Sequence, residues 1–357
     1  MATLKIHIDG NNLNYITDNI NLKLTSFEEC DFIISSKFIW GIDDDKLIQN
    51  NINYYKNLSK NVIIFLISDT ISKFNIPCNV TLFRTSLYKT KQSNNEFLLP
   101  YLWEKIEKPF TLLSKTEKPI IGFCGNVDKY REGLINTIQK NNNLQKNFLI
   151  RKKFWGGKPN DPTLFEEFTN NILNSHFTVC NRGKGNFSMR FYQTLSAGRI
   201  PILIDTDMVF PFEDEIDWHS IIIIGKNEND VINKVLDWWI HRDIEKIQVM
   251  CKDVYDNFCD KKIYFIKIFS YIEKNIKNNF DINIYSLYND LQHLDNNDLR
   301  KHYYTYGEKE KRLCKLPNNF NVDIYKKNNS DLKNLNNNDL IKHFINYGFN
   351  ENRIYSI

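Results

Sequence analysis

Three features of these 357 residues predict an α/β protein of two Rossmann-like domains facing a cleft, with a small all-α repeat region behind them. Two successive series alternate β-branched runs with helical stretches, a polar proline-punctuated segment separates the series, and the tail matches itself. Hydrophobic residues make up 42% and charged residues 25%, which supplies ordinary cores and argues against wholesale disorder. The net charge of +4 is small and its signs are interleaved, so nucleic acid is not an expected partner, whereas a local anionic ligand is compatible.

The first domain is drawn at 1–115. Its strands are expected at 4–9 (LKIHID), 31–36, 61–68 (NVIIFLIS) and 80–86, with a helix in 45–58. Continuous apolar strands of this kind belong in a parallel sheet covered on both faces. The acidic triplet Asp43-Asp44-Asp45 reads as a helix N-terminus that complements its dipole, since nothing around it supports a manganese site. The break is 107–119, EKPFTLLSKTEKP. The second domain, 116–278, follows with strands at 120–125, 147–154, 176–181, 200–205 and 220–225, helices at 128–140, 162–174 and 188–197, and a helical close over 228–277.

The tail, 279–357, holds two units, 280–313 and 320–354, that align once one residue is inserted. Phe280/Phe320, Tyr285/Tyr325, Leu291/Leu332, Leu299/Leu340, His302/His343 and Gly307/Gly348 coincide. Each unit reads as two short helices, the second starting at an Asn/Asp-rich cap and ending at a Tyr-Gly C-cap. His302 and His343 lack a second ligand at the i+4 spacing of helical zinc sites, so they are expected to pack between helices. Protein contacts through these repeats are an expectation.

Seven cysteines without a CxxC pair suggest free buried thiols in a reducing compartment. The start carries no apolar stretch of signal length and no run of roughly 18 apolar residues occurs, so a cytoplasmic protein without a transmembrane segment is expected. The sequon Asn186-Phe187-Ser188 falls inside the most informative loop, where a glycan would be disruptive.

That loop lies in HFTVCNRGKGNFSMRFYQTLSAGRIPILID. The strand ends at Arg182, Gly183 and Gly185 flank Lys184, Ser188 stands at an N-cap position, and Arg190 sits in the helix's first turn. In open α/β sheets ligands bind beyond the carboxyl ends of strands, and a helix N-terminus offers amides to an anion. A cation in the first turn costs about 0.3–1 kcal/mol against the macrodipole unless a ligand supplies the counter-charge. No GxxxxGK[ST] or GxGxxG is present, so a diphosphate held by arginine forks is the expected ligand. Gln193, one turn after Arg190, is placed to reach a ribose.

The residues of 177–225 resemble the exostosin-type glycosyltransferases. They match a pattern of strand, arginine-rich loop, S-x-R-x-x-E, a small-residue turn into the next strand, and P-F-x-D-x-I-D-W. Weaker likeness runs through 120–135 and 148–157, and the whole spans about residues 25–270. The resemblance implies a GT-B fold and inverting transfer from a nucleoside-diphosphate sugar, a UDP-sugar first, to a glycan acceptor, with no metal and no cofactor beyond the nucleotide sugar. The tail is similar to repeats appended to some bacterial and viral glycosyltransferases. Gln193 replaces the family's glutamate, a change from charge-assisted to neutral hydrogen bonding of about 1–2 kcal/mol. The membrane anchor usual in eukaryotic relatives is not expected here.

In that framework Arg182, Arg190 and the helix amides receive the leaving diphosphate, with Arg131, Gly125 and Asn126 on the same sheet edge. The acceptor's proton goes to a carboxylate of the first domain: Asp9 at the end of the first strand, then Asp69 at the end of NVIIFLISD, then Glu96. Asp217 and Trp218 are expected to cap and pack. Two other readings stay open: a non-catalytic glycan-binding or scaffold protein with a decayed donor site, and a GDP-sugar enzyme like the fucosyltransferases.

Overall fold

The computed structural model describes residues 4–9, 22–35, 43–56, 58, 60–77, 79–93, 95–101, 105–158, 161–273, 280–295, 298–299, 302–307, 309–317 and 319–356. The first sheet contains β1 (Leu4–Asp9), β2 (Leu22–Leu24), β3 (Phe32–Ser35), β4 (Asn61–Leu66), β5 (Val80–Arg84) and β6 (Glu96–Leu98) in the order β2-β1-β3-β4-β5-β6. Every pairing is parallel. Burial accounts for the apolar runs: all of β3 and all of β5 are buried, and β4 is buried after its first residue. β2 and β6 have three residues each, too short for a periodic signal, and the sequence reading does not anticipate them. Helix α1 (Asp45–Tyr54) covers one face with Ile48 and Ile52. Its N-cap is Asp44, whose carboxylate accepts from the amides of Lys46 and Leu47.

The second sheet is also parallel, β11-β10-β9-β7-β8, from β7 (Ile120–Asn126), β8 (Gln145–Arg151), β9 (Phe177–Val179), β10 (Ile200–Ile204) and β11 (Ile223–Gly225). The order reverses at β7/β9, and at such a switch point the carboxyl ends diverge and leave a crevice. Between the strands run α2 (Glu132–Lys140), α3 (Pro162–Leu173), α4 (Met189–Ser196) and α5 (Trp218–Ile221). The expected strand at 220–225 is thus a turn of helix followed by a three-residue strand. Two parallel sheets of this kind agree with the expected two-domain α/β architecture.

Three helices close the chain's α/β part: α6 (Glu228–His241), α7 (Ile244–Val254) and α8 (Lys261–Tyr271). The first two cover the second sheet. α8 crosses back and buries Tyr264, Phe265, Ile268 and Phe269 against Phe65, Phe83 and Ile34 of the first. Phe265 meets Phe65 edge-on at 5.4 Å, and the Tyr264 hydroxyl donates to the Leu98 carbonyl at 2.8 Å. Each such buried ring contributes about 1.5–3 kcal/mol. The last strong helix of the expected 116–278 unit therefore belongs in space to the first core; 274–277 lie outside the described residues.

The tail has its own core, in which Phe280, Tyr285, Leu291 and Leu299 pack with Tyr325, Leu332, Leu340 and Phe344. Some contacts recur in its two halves. The Tyr285 hydroxyl lies 3.0 Å from His302 Nδ1, and the Tyr325 hydroxyl lies 3.0 Å from His343 Nδ1. Arg312 pairs with Asp290 and Glu310, as Arg353 does with Asp331 and Glu351.

Candidate functional site

Parallel strands β4 and β7 deliver the chain to a cleft of about 1040 Å³ between the two sheets. Ser68, Asp69 and Tyr101 line one wall, and Gly125, Asn126, Arg131, residues 183–185 and residues 187–190 line the other. Gly125 has φ +149, and a Cβ there would sit 2.8 Å from an Arg190 nitrogen. The bare backbone lets the arginine lie across the end of β7.

Arg190 is 9% exposed. It donates to the carbonyls of Val179 at 3.1 Å, which ends β9, and of Cys124 at 2.8 Å, near the carboxyl end of β7. Its guanidinium lies between two rings, 4.5 Å from the centre of Phe123 and 5.8 Å from that of Phe168. Among the described residues no carboxylate is paired with it, and its buried Nε has no hydrogen-bond partner. Burial, with the Arg131 charge next in importance, pushes it down to about 10. Arg131, at the head of α2, donates to the Asn181 and Asn126 carbonyls, and Asp128 lies 3.4 Å away. Burial lowers it as well. The Arg131 charge thus adds to burial in disfavouring the charged form of Arg190, and an anion beside the pair would offset both effects.

Ser188 is the N-cap of α4, in extended conformation, and its side chain makes no capping bond. Like Gln193, it is buried and lines the cleft. Lys184 reaches across to the Asp43 carboxylate at 2.7 Å. That contact is the largest cause holding Asp43 below the usual carboxylate range and Lys184 above the usual ammonium range. Gly183 and Gly185 mark close approaches: a Cβ on Gly183 would lie 2.9 Å from Arg131, and one on Gly185 would lie 2.7 Å from the Asp69 carboxylate.

Arg182 is placed differently from the sequence expectation. It does not line the cleft; its donors go to the Tyr88 hydroxyl, Asn186 Oδ1 and the Lys184 carbonyl. The three carboxylates expected as bases also separate. Asp69 faces the cleft and accepts from the Tyr101 hydroxyl at 2.9 Å, where burial pushes the tyrosine's own titration far up. Asp9 lies 2.7 Å from the Tyr55 hydroxyl, away from the cleft lining. Glu96 is buried in an ion pair with Arg84 at 3.0 Å, behind β5.

Sequence reasoning took Asp43 only as part of a helix N-terminus and missed Tyr101 and an aromatic wall at the head of α3. Phe165 is 39% exposed and stacks at 29° against Phe168, with both rings lining the cleft beside Arg151. Their i, i+3 spacing on an amphipathic helix was a readable signal. Asp43 carried none, because its role depends on a lysine 141 positions away. No group of three or more metal-ligating side chains occurs among the described residues, and no described helix is long and apolar enough to cross a membrane.

Residues 68–235 match the Exostosin GT47 domain. An Exostosin-1 homolog of Caenorhabditis elegans is 29% identical over 93 residues, 26% of this chain and 24% of that protein. Exostosin-1 of Drosophila melanogaster is 42% identical over 52 residues, 15% of this chain and 7% of that protein. The chain therefore spans a quarter or less of these relatives' length. Among solved structures, Anabaena HepE in complex with UDP-glucose aligns with a TM-score of 0.41 at 6% identity, over 76% of this chain and 100% of that one. A glycosyltransferase from Rickettsia africae aligns at 0.40 and 10% identity, over 78% and 100%. Likeness at that level carries no argument about the site. The stretch that supplies Asp69, Arg131, the 182–190 loop and α4 lies within the residues that match the Exostosin GT47 domain.

Proposed function

We propose that this chain is an inverting glycosyltransferase of GT-B architecture that moves a sugar from a nucleoside-diphosphate sugar, a UDP-sugar first, to a glycan acceptor. The observation that carries the reading is Arg190, nine-tenths buried in the cleft beside Arg131 with no paired carboxylate among the described residues. Such a cation is tolerated in a water-poor site chiefly where a ligand brings the opposite charge.

In this reading the diphosphate lies at the N-terminus of α4 against Arg190, Arg131 and Ser188, and Gln193 reaches the ribose. The nucleobase lies on the Phe165–Phe168 wall, since a ring 39% exposed inside a cleft is a stacking surface. Asp69 is the preferred base because it is the one of the three carboxylates that lines the cleft. It takes the proton of the acceptor hydroxyl as that oxygen attacks the anomeric carbon from the face opposite the diphosphate. The bond from carbon to diphosphate oxygen breaks with its electron pair, and the guanidiniums meet the charge that collects on the leaving group. The reading assigns no cofactor beyond the nucleotide sugar. Buried unpaired cysteines such as Cys124, Cys180, Cys251 and Cys259 favour a reducing compartment, the cytoplasm.

The test is a panel of UDP- and GDP-sugars assayed for hydrolysis and for transfer to oligosaccharides, alongside thermal unfolding with each free nucleotide. Stabilisation by UDP and release of UDP from a sugar donor are expected. Preference for GDP would move the donor class, and indifference to every nucleotide would favour a glycan-binding module.

A further inference from the structure

We infer that the donor loop is built by both lobes: Ser86 and Tyr88 of the first lobe are positioning residues that hold residues 182–186 of the second in their phosphate-binding shape. This inference rests on the proposed donor site. Asn186 is its hub and is fully buried. Its amide N–H donates to Ser86 Oγ at 2.5 Å, and its side-chain nitrogen donates to the Leu87 carbonyl at 3.1 Å. Its side-chain oxygen accepts from Arg182 at 3.0 Å and from the Thr206 hydroxyl at 2.8 Å. The backbone amide and side-chain nitrogen of Asn186 thus join 86–87 to the loop while its side-chain oxygen holds Arg182 and Thr206, which also leaves no room for a glycan on this sequon.

Arg182 completes the arrangement. Its guanidinium lies between a tyrosine from each lobe, 4.6 Å from the ring centre of Tyr130 and 5.7 Å from that of Tyr88, and donates to the Tyr88 hydroxyl at 2.5 Å. It then donates to the Lys184 carbonyl at 2.9 Å, inside the loop itself. The arginine that sequence reasoning places on the diphosphate is instead the brace that bends the loop carrying Gly183, Lys184 and Gly185 into the cleft. Neither Ser86 nor Tyr88 lines the cleft, so their effect on a nucleotide passes through the loop. The two lobes meet elsewhere without touching the loop: Thr90 donates to Asp207 through both its amide and its hydroxyl. A coupling of this kind makes donor affinity depend on the lobes staying together, because separating them withdraws two of the loop's supports.

The experiment uses the full chain and three variants, Tyr88→Phe, Ser86→Ala and Thr90→Val. UDP and inorganic pyrophosphate are titrated calorimetrically, thermal unfolding is recorded, and donor and acceptor KM are measured where turnover is seen. Loss of one hydrogen bond to a guanidinium is expected to weaken UDP about ten-fold in Tyr88→Phe, with donor KM rising and acceptor KM unchanged. Thr90→Val should unfold earlier but bind UDP within about two-fold of wild type. If Tyr88→Phe and Ser86→Ala unfold earlier yet bind UDP as wild type does, the contacts only glue the lobes and the inference falls alone. If the wild-type chain binds neither UDP, GDP nor pyrophosphate, the donor reading falls and takes the inference with it. Should Ser86→Ala fail to fold, Tyr88→Phe, which removes a single oxygen, decides the matter.

Discussion

Replacing Arg190 by methionine separates the cost of keeping a buried cation from its use. The guanidinium is pushed down to about 10 by burial and by Arg131. At about 1.4 kcal/mol per tenfold, holding it charged costs on the order of 3 kcal/mol relative to an exposed arginine. Against this stand two hydrogen bonds, to the Val179 and Cys124 carbonyls, and the contact with Phe123. Together these return roughly 3–5 kcal/mol. Methionine keeps the ring contacts, removes the charge and forfeits the bonds, so the free protein should change by no more than about 2 kcal/mol in either direction. The nucleotide complex is another matter. A charge-assisted bond to a diphosphate oxygen is worth about 2–3 kcal/mol, so Arg190→Met should weaken UDP on the order of 30- to 150-fold. Calorimetric titration of UDP and denaturant unfolding of the free chain measure the two quantities separately. UDP affinity equal to wild type, together with a stability loss of several kcal/mol, would make Arg190 a structural post and refute the reasoning.

Asp69→Asn keeps the bond from Tyr101 and is expected to abolish transfer while UDP affinity stays within about three-fold, whereas Asp9→Asn should leave transfer largely intact. Retained transfer in the first variant removes Asp69 as base. Gly185→Ala would place its methyl 2.7 Å from Asp69 and 2.9 Å from Ser86, so a stability loss of about 1–3 kcal/mol and weaker nucleotide binding are expected from unfolding and titration curves. His176 predicts a pH dependence. The surrounding bonds assign the proton to Nε2, which donates to the Ser114 carbonyl at 2.9 Å, while Nδ1 accepts from the Ile120 amide at 3.1 Å. Burial keeps the folded ring neutral by lowering its pKa. Stability from this residue is thus fully present above the unfolded value of about 6.5 and lost as pH falls through the depressed folded value. Urea midpoints between pH 7.5 and 5 should fall in wild type and fall less in His176→Gln. Finally, Phe165→Ala should weaken UDP but not pyrophosphate, and equal weakening of both would remove the nucleobase from that wall.

Patterns confined to a few neighbouring residues were legible. The apolar runs of β3, β4, β5, β7 and β10 state their own burial, and the Pro-rich break sits where one sheet gives way to the other. The loop with Gly183, Gly185, Ser188 and Arg190 is likewise written in eight adjacent positions, and it does line the cleft. β2 and β6 were not legible because three residues carry no period, and they pair only because β1 and β5 offer them an edge.

The sequence by itself determined the two sheets, the duplicated tail and the position of an arginine-rich loop at a sheet edge, because side-chain periodicity and turn chemistry are local properties of the chain. Only the tertiary structure decided which cations and which of the three carboxylates line the cleft. Arg182 is captured by a tyrosine 94 positions away and Lys184 by an aspartate 141 positions away. Such contacts follow from how two separately folded sheets are set against each other, with α8 of one half sealing the core of the other. No local pattern encodes that placement, since the free energy that fixes it is spread over apolar surface contributed from both ends of the chain.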